Sequence, residues 1–266
     1  GRGSAKTTPG FLGARYGAIN LHDGKKLSLP NIEKLESITK GDHEARADLR
    51  NFLSSRFDQG RGLSAVKSHA AAYARVHGLM SCEKLFDISD EPQHIRDMYG
   101  PTQFAEQTIM ARRMVEAGVP FVRVSRAWWD SHGQNFETHL EMVPELDRVL
   151  SALIDDLKQR GMLEDTLVVT MGEFGRTPKI NGSLGRDHFA TAWSASLHGG
   201  RTVPGAVYGK TDAQGNRVVE GEIGAGEMFA TILEAAGIDH TREYHVGARP
   251  IPLVNPGIKP VTEVIA

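Results

Sequence analysis

The pattern that most constrains this chain is an apolar run, a long amphipathic stretch and a second apolar run in close succession. Residues 119–126, VPFVRVSR, read as a short buried strand, and residues 165–172, DTLVVTMG, as another. Between them residues 135–161 place Leu140, Val143, Leu146, Leu150, Leu153 and Leu157 three or four apart, the spacing of one apolar helix face. Strand, helix and strand in that order predict a right-handed crossover and a mostly parallel sheet flanked by helices, an α/β fold.

The flanking sequence fills out this frame. Residues 1–30, rich in Gly, Lys and Pro with a turn signal at HDGKK, read as an irregular arm or connector. Residues 31–118 are helical in pattern, with helices predicted over 42–59, 62–80 and 101–118, the last opening on Pro and closing on Gly. His69, Tyr73 and His77 in this part read as packing or surface residues. Residues 192–200 are a third candidate strand, 205–219 a hairpin, 225–238 a closing helix, and 247–260 an extended proline-rich tail. Residues 31–266 are thus expected to form one domain, a helical part over 31–118 inserted ahead of a sheet core over 119–266.

Composition excludes several function classes. With 31 basic and 33 acidic residues among 266, the net charge of -2 offers no broad field for nucleic acid, so anions must be recognised locally. No uninterrupted apolar run is long enough for an integral membrane segment. The single cysteine, Cys82, has no partner for a disulfide or a zinc knuckle.

Ligands of an open α/β sheet bind beyond the carboxyl ends of its strands, where loops converge. On that reading Asp130 and His132 follow the first strand, Glu173 and Arg176 the second, and Asp187 and His188 precede the third. Carboxylates and imidazoles together suit a divalent ion such as zinc or manganese. Arg126, Arg176 and Arg186 suit a phosphate or sulfate. The chemistry this points to is metal-assisted attack on an oxyanion ester, and the alternative is a surface ion-pair network. Trp128 and Trp129 could wall a sugar or simply pack. Ser131 and Ser183 lie near the cluster without the sharp turn of a nucleophile elbow.

Beyond single residues, PGFLGARY, WWDSHGQNF, DTLVVTMGEFGRTPKING, GRDHF and GARPIPL resemble a bacterial family of uncharacterised sulfatase-like proteins, similar to the alkaline phosphatase superfamily. That resemblance implies an alkaline-phosphatase-like sheet with two metal ions and a Ser, Thr or modified Cys nucleophile. It casts Asp130, His132 and His188 as ligands of one ion and Glu173 as a ligand of the second, with Asp187 competing for a ligand role. Arg176 would act on the ester in catalysis, and Arg126, Arg186 and Trp129 would hold the substrate. Two features depart from the pattern: Glu173 is followed by Phe174 where relatives have Asp-His, and Cys82 lacks the nucleophile setting. The first strand and nucleophile are expected upstream of this chain. The implied function is hydrolysis of a small phosphate or sulfate ester, or of a sulfated or phosphorylated glycan, by an exported protein of the periplasm or cell envelope. The alternative is a non-catalytic protein that binds an anionic ligand or glycan.

Overall fold

The computed structural model describes residues 10–13, 16–21, 37–61, 64–246 and 248–266. Most of the expected arm, including its turn at residues 22–26, lies outside them. Residues 2–91 and residues 92–266 form two compact units.

The first unit carries two helices, α1 (Lys40–Asp58) and α2 (Ser64–Ser81). Thr39 starts α1 with a reciprocal cap. Its hydroxyl accepts from the Asp42 amide at 3.1 Å, and the Asp42 carboxylate accepts from the Thr39 amide at 3.0 Å. No residue of α1 is buried. His69 and Tyr73 pack ring against ring on α2, 4.9 Å between centroids.

The second unit opens with α3 (Gln93–Tyr99), α4 (Gln103–Glu116) and α5 (Asn135–Gln159). Thr102 caps α4 by accepting from the Ala105 amide, and the chain leaves through Gly118 at φ 89°. Pro144 sits inside α5 at an exposed position. Ile95, Tyr99, Ile109, Met110, Val149, Ala152 and Leu157 form the core of this layer. The apolar face expected on α5 is only partly the buried one: Leu157 is buried, but Leu140 and Val143 are exposed. The helix is turned so that Met142, Val149, Ala152 and Asp156 face inward.

A paired charge lies on that inward face. The Asp156 side chain, 2% exposed, meets Arg112, 1% exposed, with Nε 3.0 Å from Oδ2 in an ion-pair contact off the N–H direction. Tyr99 donates to the same oxygen at 3.1 Å, and Arg160 Nε donates to the other at 2.6 Å. Arg112 and Arg160 also share Glu116. Burial first, and then the neighbouring Asp156 charge, push the Tyr99 phenol far above its usual range, so it remains a donor. Hydrophobic periodicity cannot detect a helix face defined by a buried carboxylate.

The strands correct the expected fold class. Residues 119–126 form no strand and join no ladder among the described residues, so the strand-helix-strand crossover does not form. β1 (Val168–Met171) pairs antiparallel with β4 (Ala195–His198), and β2 (Gly175–Arg176) with β3 (His188–Phe189). The predicted hairpin forms from β5 (Lys210–Thr211) and β6 (Val218–Glu220). Helix α6 (Ala225–Ala235) follows as expected, and the proline-rich tail pairs as β8 (Arg249–Pro252) with β7 (Glu243–Val246). Every sheet has two strands and every pairing is antiparallel among the described residues. The fold is mixed helix and small antiparallel sheets, not an alkaline-phosphatase-like parallel sheet. The reason is that residues 119–126, ahead of α5, enter no ladder, and the strand that does pair with β1 is β4, reached through the β2–β3 hairpin and running antiparallel.

Asp156→Ala is expected to destabilise the fold by about 3–5 kcal/mol, because it leaves Arg112 buried without its main counter-charge. Denaturant unfolding measures this, and Asp156→Asn should cost less.

Candidate metal centre

Two loops build the centre, residues 127–134 ahead of α5 and residues 177–187 between β2 and β3. They are joined backbone to backbone. The Arg186 amide donates to the Ser131 carbonyl at 2.9 Å, the Asn135 amide to Leu184 at 2.9 Å and the Gln134 amide to Ser183 at 3.3 Å. Asn181 organises the second loop: its side-chain oxygen accepts from the Ser183 and Gly185 amides, and its amide nitrogen donates to the His132 carbonyl at 3.0 Å. Gly185 allows the approach. A Cβ there would lie 2.0 Å from the His132 carbonyl carbon, which is backbone and cannot turn aside.

This joint brings three potential ligand atoms together. His132 Nε2 and His188 Nε2 each lie 2.9 Å from Asp130 Oδ1 and 3.2 Å from one another. The His132 Nδ1 faces Asp187 Oδ1 at 2.8 Å, and Asn181 donates to the same oxygen at 3.1 Å. A carboxylate is an acceptor, so Nδ1 carries the hydrogen and, in the neutral ring, Nε2 presents a lone pair to Asp130 and His188. Such a convergence of acceptors calls for a cation or a proton at its centre. The Arg176 guanidinium adds positive charge, 2.6 Å from Asp130 Oδ1. Hydrogen bonds from His188 and then Arg176 hold the Asp130 carboxyl down at about 2. The bond from His132, followed by that from Asn181, lowers Asp187 as well. Asp130, His132, Asp187 and His188 are each about half exposed, so the centre is open to solvent.

Residues 1–265 match the family model described as "Protein of unknown function (DUF1501)". The chain belongs to that family. No curated protein and no solved structure matches it. These findings overturn the sulfatase-like resemblance, because DUF1501 has no assigned function that ties the chain to sulfatases or to the alkaline phosphatase superfamily. The antiparallel pairing removes the shared sheet as well. The second ion and the upstream nucleophile rested on that resemblance alone.

In this DUF1501 chain, Asp130, His132 and His188 come together, and Asp187 supports His132 from behind. Arg176 reaches the cluster because β2 and β3 set Arg176 directly opposite His188. Glu173 is exposed on the turn before β2 and contributes no atom to the convergence. Arg186 donates to the Thr177 and Pro178 carbonyls at 2.6 Å each, closing its own loop. Arg126 pairs with Glu145 at 2.7 Å, and Trp129 packs on His139 with ring centroids 5.4 Å apart. Ser131 is buried and bonded to Asn135. Three contributors went unread in the sequence: Asn181, Gly185, and Phe174, whose ring lies 4.1 Å from that of His188. The turn chemistry of NGSLG was the available signal for the first two. A second group joins Glu234, in the last turn of α6, to Asp239 and His240 just beyond the helix. There His240 is bonded to Glu234 at 2.5 Å, and Asp239 is engaged by Thr241.

Two outcomes follow from this geometry. Gly185→Ala should cost about 1–3 kcal/mol through overpacking against His132, read as a lowered melting temperature with the loops pushed apart. Asp130 has a depressed folded-state pKa, so its ion pairs stabilise the protein above the usual carboxylate range near pH 4 and lose that effect as pH falls toward about 2. Melting curves against pH should show the wild-type advantage over Asp130→Asn shrinking across that window.

Proposed function

We propose that Asp130, His132 and His188 bind one divalent transition-metal ion, zinc or manganese, and that the protein is a metal-dependent hydrolase of phosphate or sulfate esters. The supporting observation is the triangle of two imidazole nitrogens and one carboxylate oxygen, with edges of 2.9, 2.9 and 3.2 Å. Tetrahedral ligands of zinc stand about 3.3 Å apart when each is about 2.0 Å from the ion, so the donor set fits with little adjustment. Two neutral nitrogens and one carboxylate also match the ligand types such an ion prefers. The exposure of the three residues leaves room for a further ligand from substrate, as catalytic sites require.

The surrounding residues have separate tasks in this reading. Asp187 and Asn181 hold the His132 ring with its Nε2 turned to the cluster, the carboxylate–histidine arrangement that supports metal ligands. After His188, Arg176 helps hold the Asp130 carboxyl low, and it sets a guanidinium beside the position of an anionic ester. The ion, when bound, supplies a Lewis acid for the charge that develops on the ester oxygens.

Elemental mass spectrometry of the purified chain should find about one zinc or manganese ion per chain, as expected for a single three-residue site, and none in His188→Ala. Hydrolysis of p-nitrophenyl phosphate or sulfate should be abolished by chelator and restored by added zinc or manganese. A chain that takes up no ion in the presence of excess metal would overturn the reading, as would turnover indifferent to chelator.

A further inference from the structure

Helix α1 buries none of its residues, although one of its faces is apolar. Leu49, Phe52, Leu53 and Phe57 are spaced to share that face, and each is 54–59% exposed. α2 lies along a different side of α1. There His43 stacks on His77 with ring centroids 5.7 Å apart, Arg50 sits over the Tyr73 ring at 4.2 Å, and Ser54 and Asp58 line a groove with Val66 and Ala70. Helices in proteins draw most of their stability from packing an apolar face, and the apolar face of α1 is open to water. Its charges are sorted as well. Arg46, Arg50 and Arg56 adjoin the apolar stripe without an ion pair among the described residues, while Glu44, Asp48 and Asp58 lie away from it. Asp42 is bonded into the Thr39 cap.

Helix α5 carries the complement. Phe136, Leu140 and Val143 follow one another at helical spacing on its outer face and are 49–78% exposed. Both stripes run for about two turns of helix. Glu137 and Glu141 follow the margin of the α5 stripe and Asp147 continues it, all three exposed and without an ion pair among the described residues. Arg148, the nearest base on this face, is tied to the Asp97 and Met98 carbonyls. We propose that a second copy of this chain covers both stripes, α1 of each copy packing on α5 of the other. Opposite margin charges favour this pairing, because α1 on α1 or α5 on α5 would set like charges side by side. An anionic membrane would suit α1 but leave the acidic α5 stripe uncovered. The seven apolar side chains leave on the order of 100 Å² each open to water, so two reciprocal contacts would bury about 1,400 Å², the size of a specific interface. Reciprocal contacts about a two-fold axis close the assembly at a dimer. The pairing needs no metal ion.

Sedimentation velocity of the full chain is the test. The wild type should run as a dimer at roughly 10 μM, within reach of interfaces of this size. Charge is then reversed on one stripe at a time, with Arg46→Glu and Arg56→Glu together, or with Glu141→Arg and Asp147→Arg together. Either pair sets like charges across both contacts and should weaken the dimer about tenfold or more. An equal mixture of the two reversed chains faces opposite charges again and should recover a dimer, which misfolded chains cannot do. A wild-type monomer overturns the proposal, as does a dimer unchanged in both reversed chains or a mixture that stays monomeric. Flotation with phosphatidylglycerol vesicles tests the other occupant. A monomeric chain that floats with them, and no longer does so with Arg46→Glu and Arg56→Glu, assigns the α1 stripe to a membrane surface instead.

Discussion

The candidate site depends on one backbone contact, the approach of Gly185 to His132. Residues 131–135 and 181–187 are distant in sequence and have no helix or long strand to bind them. A short set of amide–carbonyl bonds and the Asn181 side chain hold them together. Any side chain at 185 would separate them, because the space it needs is taken by peptide atoms. Once the loops are joined, Asp130, His132 and His188 converge and Asp187 falls behind His132.

The same unit contains two ionic clusters with opposite characters, and burial separates them. Asp156, Arg112 and Tyr99 are almost fully enclosed, so their charges are satisfied by one another and orient α5. Asp130, His132, His188 and Arg176 are open to water, where ion pairs add little stability. An exposed group of acceptors aimed at a single point contributes little to the fold and is accessible to ligands. Local strain coincides with it, since the non-glycine residues with positive φ all flank this cluster among the described residues.

The elements legible in the sequence were those whose signals are local. α4, α5, α6 and the β5–β6 hairpin follow from periodicity, capping residues and turn glycines, and they lie close to their expected bounds. The strand assigned to residues 119–126 shows the limit. Its composition suits a strand, but among the described residues no partner is in place to complete a ladder. The apolar face of α5 was misplaced for a related reason, as its buried face includes a carboxylate paired with an arginine from another helix. Glu173 was chosen because it lies just beyond the end of the second strand and because the resemblance cast it as a ligand of a second ion, but the converging atoms belong to Asp130, His132 and His188.

By itself the sequence determined the helices, the β5–β6 hairpin, the near-neutral charge and the residue types able to hold a divalent ion, since each depends on composition or on neighbours within a few positions. Tertiary structure decided the antiparallel return of β4 onto β1, the inward face of α5, and which carboxylate joins the two histidines. Those outcomes depend on contacts between residues far apart in the chain. Such contacts are set by geometric fit and by the pairing of buried charge, and neither leaves a periodic trace in the sequence.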